Sequence, residues 1–135
     1  MQFIVDTNIL SETFKPRPNP TVTQWLTTQT TLGVSVISLE ELTYGLDHRH
    51  STTKMAWLKS FLARHCQLLP VTDDIAQHSA LMRSRFRQQG ITRSQSDMLI
   101  AATAAHHNLS VATRNIKDFR GCGLRLFDPF QNEYV

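Results

Sequence analysis

Apolar residues along this chain switch between two rhythms: short continuous runs, and longer stretches where they recur every three to four positions. The run from Gln2 to Asp6 predicts a short buried strand, and Leu32–Ile37, Cys66–Val71 and Leu109–Thr113 predict three more. A further short run around Leu124 to Phe127 is placed to close the sheet. Helical spacing predicts a turn or two from Asn8 to Phe14, stopped by the proline-rich segment from Lys15 to Pro20. A helix follows from about Thr21 to Gln29, with Val22, Trp25 and Leu26 on one face. Ser38-x-x-Glu41 reads as a capping box that opens a helix through about Leu46. Thr52 to Arg64 is another helix, apolar at Met55, Leu58, Phe61 and Leu62. A longer one runs from Thr72 to Gln89 and stops at Gly90. Ser96 is read as the cap of the last, from Asp97 to about His107.

Strands alternating with helices predict an α/β fold with a mostly parallel central sheet flanked by helices on both faces. At 135 residues the chain suits one domain, 1–135, with one ordinary core. Ligands of such sheets gather outside the carboxyl ends of the strands.

Composition narrows the class. Hydrophobic residues make up 41% and charged residues 19%, as expected of a soluble globular protein. No apolar run approaches the roughly 18 residues of a membrane span, and the start lacks the basic region and cleavage site of a signal peptide. Cys66 and Cys122 fall in unrelated contexts, which argues against a disulfide framework or a zinc motif and makes a reducing cytoplasm the expected location. The net charge of +3 leans toward a polyanionic partner.

That lean gains meaning from the acids. There are only 11, and four sit at the edges of apolar segments: Asp6, Glu41, Asp97 and Asp118. An α/β fold can gather such residues into one acidic pocket, which favours a divalent cation. Each also has a plainer explanation. Asp6 could cap the turn at Asn8, Glu41 could close the capping box, Asp97 could complement a helix dipole, and Asp118 could be a loop acid. Thr113 and Asn115 are polar residues at a strand end, where turn chemistry alone could account for them. Glu12 reads as structural, and Asp73 and Asp74 as helix-start acids.

Taken together, Asp6-Thr7-Asn8, Ser11-Glu12, Ile37-Ser38-Leu39-Glu40-Glu41-Leu42 with Gly45, Asp97-x-x-Ile100-Ala101-Ala102 and Thr113-x-Asn115-x-x-Asp118-Phe119 resemble the PIN-domain proteins. Within them the chain is similar to the VapC-type toxins of bacterial toxin–antitoxin pairs, and the ending Gly121–Phe130 resembles the FitB-like branch. Before the third acid the chain departs from the pattern: relatives often carry an apolar pair where it has Thr92-Arg93-Ser94-Gln95-Ser96.

The resemblance implies a Mg²⁺- or Mn²⁺-dependent ribonuclease, usually dimeric and held inactive by a small VapB-like antitoxin, with operator DNA reached only through that partner. It assigns Asp6, Glu41, Asp97 and Asp118 to catalysis and metal binding. Thr7, Asn8, Thr113 and Asn115 are their polar support. Hydrolysis by a metal-activated water would leave 5′-phosphate and 3′-hydroxyl ends. Arg93, Arg114, Lys117 and Arg120 surround these acids in sequence and are candidate RNA phosphate contacts. Arg83, Arg85 and Arg87 form a denser basic stretch that reads slightly better as a solvated helix face.

Two alternatives stand beside this. A metal-independent ribonuclease using histidine and lysine would account for the six histidines and the basic balance but leaves the four acids unexplained, and His48, His50, His65, His78, His106 and His107 form no metal-ligand spacing. A catalytically silent, nucleic-acid-associated partner would lack a helix-turn-helix to read DNA itself. The apolar faces around Trp25 and Leu26, and around Trp57, Leu58 and Phe61, are candidates for a dimer seam or an antitoxin groove.

Overall fold

A computed structural model describes all residues, Met1–Val135. Its strands are β1 (Phe3–Val5), β2 (Leu32–Ser35), β3 (Cys66–Leu69), β4 (Ser110–Ala112), β5 (Leu126–Asp128) and β6 (Glu133–Tyr134). The helices are α1 (Thr7–Glu12), α2 (Pro20–Thr28), α3 (Val36–His48), α4 (Thr52–His65), α5 (Asp73–Gln88) and α6 (Gln95–His106). A 3₁₀ turn covers Ile116–Asp118. The sheet order is β3-β2-β1-β4-β5-β6, parallel throughout except for the final β5–β6 pair. This is the expected mostly parallel α/β architecture.

Alternation along the strands divides the core in two. Phe3 and Val5 of β1 face one side of the sheet, with Leu32, Val34, Ala112 and Phe127, and pack against α1 to α4. Ile4 faces the other, with Leu69, Val111 and Leu126, under α5 and α6. Residues two apart in a strand share a face, so three residues of β1 serve both cores at once. Trp25, Leu26 and Leu58 lie fully inside the first core. They are therefore not free for a dimer seam or a groove, as the sequence suggested. Of that set only Trp57 stays exposed, at 41%, stacked on Phe61 and meeting Phe14 edge-on.

Several boundaries move for identifiable reasons. β2 ends at Ser35, whose side chain accepts from the Ile37 N–H and starts α3 there, so Val36 and Ile37 are helical despite their β-branched side chains. Ser94, not Ser96, caps α6. Pro20 occupies the first turn of α2 behind Asn19, whose side chain accepts from the N–H groups of Thr21 and Val22. β6 leaves no mark in the apolar pattern because it is two exposed residues long; Tyr134 fixes it by stacking on Phe3 and meeting Phe127 edge-on. Gly90 has φ +79° behind α5, as its position past the helix end requires.

Glu12 is structural. It is 4% exposed, its Oε2 accepts from the Asn19 N–H at 2.9 Å, and its Oε1 pairs with Lys15 Nζ at 2.9 Å. It thereby ties the end of α1 to the start of α2 across the proline-rich loop. The Lys15 hydrogen bond is the main reason its pKa falls below the ordinary 4.5. A depressed folded pKa contributes stability that is present above the ordinary carboxylate range and is lost as pH falls through the folded value. Glu12→Ala should therefore destabilise by about 1–3 kcal/mol at pH 7. The deficit in Tm against wild type should shrink in acid; a pH-independent deficit would contradict this account.

Candidate active site

The site begins with strand register. Val5 lies opposite Ala112, the last pair of the β1–β4 ladder, so Asp6 and Thr113 follow side by side on neighbouring parallel strands. Their backbones are still held there: the Asp6 N–H donates to Ala112 O and the Thr113 N–H to Phe127 O, both at 2.9 Å. The Thr113 hydroxyl donates to Asp6 Oδ2 at 2.9 Å and accepts from the Asn115 N–H at 2.9 Å. The incoming N–H occupies a lone pair on the hydroxyl and leaves its one proton for the carboxylate. Asp6 is 4% exposed and Thr113 fully buried. Asp6 stands at the N-cap of α1, yet its side chain makes no capping bond. Turn capping therefore does not explain it.

Glu41 is freed in a similar way. With Ser35 as the cap of α3, Ser38 and Glu41 both fall inside the helix, and the expected capping box does not form. Both instead face Thr7. Thr7 Oγ1 lies 2.8 Å from Glu41 Oε1 and 2.9 Å from Ser38 Oγ. A hydroxyl has one proton, so Thr7 gives it to the carboxylate and accepts that of Ser38. Ser38 is fully buried. The sequence placed it at the helix cap, and its part in the site follows only once the helix start is known.

Asp97 lies in the first turn of α6, its N–H donating to Ser94 Oγ at 3.1 Å. Asp118 ends the 3₁₀ turn that follows β4. The loop before α6 and this turn are joined by Arg93, whose Nη1 donates to Asp118 O and Nη2 to Arg120 O, each at 2.8 Å. Its guanidinium lies 4.1 Å above the Phe86 ring. Phe86 also sits beside Gly121, where φ is +82° and a Cβ would come within 3.3 Å of the ring. Arg93, expected among the phosphate contacts, here holds the turn that carries Asp118.

The acids feel one another. Burial, more than any other cause, pushes the Asp6 pKa up from 3.8 to about 6; the charges of Asp97 and Glu41 add to this, while the Thr113 hydrogen bond opposes it. Asp97 is also raised, first by burial, then by Asp118 and Glu41, against the pull of Ser94 and Arg93. Charge thus couples Asp6 to Asp97 and Glu41, and Asp97 in turn to Asp118, along the carboxyl edge of the sheet. No three of them converge closely enough to make an all-protein metal cage.

The remaining candidates divide. Asn115 contributes through its backbone N–H, whereas Asn8 is exposed and only its carbonyl is engaged, by Ser11. Arg114 lies over the Phe130 ring at 4.3 Å, and Lys117 and Arg120 project into solvent around Asp118. Asp128 ends β5 as a buried acid, but its Oδ1 accepts from the Phe130 N–H at 2.9 Å and closes the turn to β6. The histidines take no part in these bonds: His48 stacks on Tyr44, His65 lies tilted against Phe61, and His106 meets His107 edge-on.

A raised folded pKa contributes stability that is complete below the ordinary value and is lost as pH rises through the folded one. Ionised Asp6 therefore weakens the metal-free fold above pH 6, by up to about 2–3 kcal/mol on the shift from 3.8 to about 6. In EDTA at pH 7.5, Asp6→Asn should melt at a higher temperature than wild type, and the gain should vanish toward pH 4. A lower Tm for the variant at pH 7.5 would contradict the electrostatic reading.

The PIN domain family model matches residues 3–121. Toxin FitB of Neisseria gonorrhoeae is 31% identical over 96% of this chain and 99% of its own length. VapC ribonuclease Y4jK of Sinorhizobium fredii is 29% identical over 95% of this chain and 97% of its own. A solved structure of FitAB bound to an IR36 DNA fragment superposes with a TM-score of 0.81 at 29% identity, covering 98% of both chains. With its register-built acidic edge, the chain belongs to the PIN-domain family and, within it, to the FitB- and VapC-type toxins.

Proposed function

We propose that this chain is the toxin of a toxin–antitoxin pair, an endoribonuclease that hydrolyses RNA phosphodiester bonds with Mg²⁺ or Mn²⁺ held at Asp6, Glu41, Asp97 and Asp118. The observation that carries the reading is the buried Asp6 carboxylate. It is fixed by Thr113, opposed by the charges of Asp97 and Glu41, and left with no capping duty. The donor set fits such an ion: it is all oxygen, and the charges of its other members help raise Asp6 and Asp97 without the four forming a cage. Mg²⁺ takes one or two direct carboxylates and keeps several waters, so a loose quartet suits it better than a closed one.

When bound, the metal supplies positive charge to the scissile phosphate and lowers the pKa of the attacking water. The protein's part is positioning. Thr113 fixes Asp6, and the Thr7–Ser38 pair fixes Glu41. Ser94 sets the helix start beneath Asp97, and Arg93 holds the turn of Asp118. Arg114, Lys117 and Arg120 flank that turn and offer positive charge to the substrate backbone. No histidine is needed, and none contributes to the hydrogen bonds of the site.

The relatives support the rest. Y4jK carries the name ribonuclease, and FitB is found with FitA on DNA. On this reading the chain acts as one domain over residues 1–135, in the cytoplasm, as a homodimer held inactive by a VapB-like antitoxin that makes the contact with operator DNA. No helix of the structure is long and apolar enough to cross a membrane.

Purified protein should cut a panel of structured RNAs with Mg²⁺ or Mn²⁺ and leave 5′-phosphate ends, with no cutting in EDTA. Asp6→Ala and Asp97→Ala should each remove cleavage while remaining folded by circular dichroism. Cleavage that persists in EDTA or in both variants would refute the assignment, and cyclic-phosphate ends would redirect it to a 2′-hydroxyl mechanism.

A further inference from the structure

Beside the active site, Arg83, Ser84 and Arg87 on the last turns of α5 face Ile91, Thr92 and Arg93 across a cleft of about 280 Å³. No carboxylate lines it. None of its arginines is in an ion pair; the protein's one side-chain salt bridge is Lys15–Glu12. Arg83 and Arg87 stand one helical turn apart, a spacing at which like charges repel and destabilise a helix. Both are exposed. Arg93 adds a third positive charge with a fixed place, since its fork is anchored on Asp118 O and Arg120 O and its plane rests on Phe86.

The cleft also adjoins the acids. α5 and α6 are packed together and joined by the short loop 89–94, so the end of α5 lies near the start of α6, where Asp97 sits. Arg93 belongs to the cleft and is bonded to the turn of Asp118, so one loop forms a wall of both.

We propose that this cleft docks the phosphodiester backbone of the RNA substrate on one side of the bond to be cut. The free guanidinium forks of Arg83 and Arg87 match phosphate oxygens in pairs, Arg93 adds its charge, and the hydroxyls of Ser84 and Thr92 can donate to the same group. No aromatic residue lines the cleft, so it offers no platform for a base and instead holds the strand by its charge. The separation of sign is functional. The metal-binding acids would repel RNA, and a neighbouring basic cleft supplies the attraction that brings the strand to them. This inference rests on the ribonuclease reading.

The test is binding of a short fluorescein-labelled single-stranded RNA to the full-length protein in EDTA, followed by anisotropy over a series of salt concentrations. Wild type is compared with Arg83→Gln/Arg87→Gln and with Arg49→Gln, an exposed control on α3's far end. Each lost phosphate contact on a single strand flattens the slope of log K against log salt by about 0.7. The double variant should therefore bind more weakly at low salt, with a slope shallower by about 1.4. Arg49→Gln should match wild type.

With metal restored, the double variant should show a raised KM on long RNA and an unchanged kcat. Equal affinity and slope for double variant and wild type would overturn the cleft's role and leave the ribonuclease reading standing. Wild-type protein that neither binds RNA nor cuts it with Mg²⁺ or Mn²⁺ would overturn both. Preferential binding of poly-glutamate over RNA, lost in the double variant, would reassign the cleft to an acidic protein segment and overturn the proposal.

Discussion

Parallel pairing of β1 with β4 places a carboxylate and a hydroxyl next to each other just beyond the last strand pair, where the sheet stops and solvent is still excluded. Everything else in the site is arranged around that pair. Asp6 cannot reach water freely, and its neighbours across the gap are other acids, so it ionises less readily in the metal-free fold than a free carboxylate does. A fold selected for stability alone would place an apolar residue there. The two cores on either side of the three-residue strand β1 supply the packing that holds this unfavourable group in position.

Support for the acids comes from separate parts of the chain, and each support is local. Thr113 acts within the sheet, Thr7 and Ser38 link α1 to α3, and Ser94 starts α6. Arg93 is different because it spans two segments that the sheet does not order: the loop into α6 and the 3₁₀ turn of Asp118. Its stacking on Phe86 extends that anchorage to α5. The segment where the chain departs from the common family pattern, Thr92–Ser96, is thus the one that braces the last acid and borders the basic cleft.

Much of this was legible in the sequence because apolar runs at strand spacing mark buried strands almost by themselves, and acids at their ends are rare. The alternation of strands and helices fixed the architecture, and the four acids stood out by position. Helix starts were less visible. Ser35 and Ser38, and Ser94 and Ser96, are equally good caps by residue type, and only packing decides which serine meets the backbone N–H groups. That ambiguity hid the Ser38–Thr7–Glu41 link. The bracing role of Arg93 is hidden for another reason, since a guanidinium bonded to carbonyls leaves no pattern along the chain. Trp25 and Leu58 show a related limit: a helical stripe of large apolar residues does not reveal whether it faces the protein's own core or a partner.

The central claim is that a divalent ion would relieve the cost of holding the buried Asp6 carboxylate charged beside Asp97 and Glu41. Calorimetric titration of Mn²⁺ into the purified protein at pH 7.5 and at pH 5 tests it most directly. Protons compete for a carboxylate with a pKa of about 6, so binding at pH 7.5 should weaken about tenfold at pH 5. Absence of binding at pH 7.5, or equal affinity at both pH values, would contradict the account.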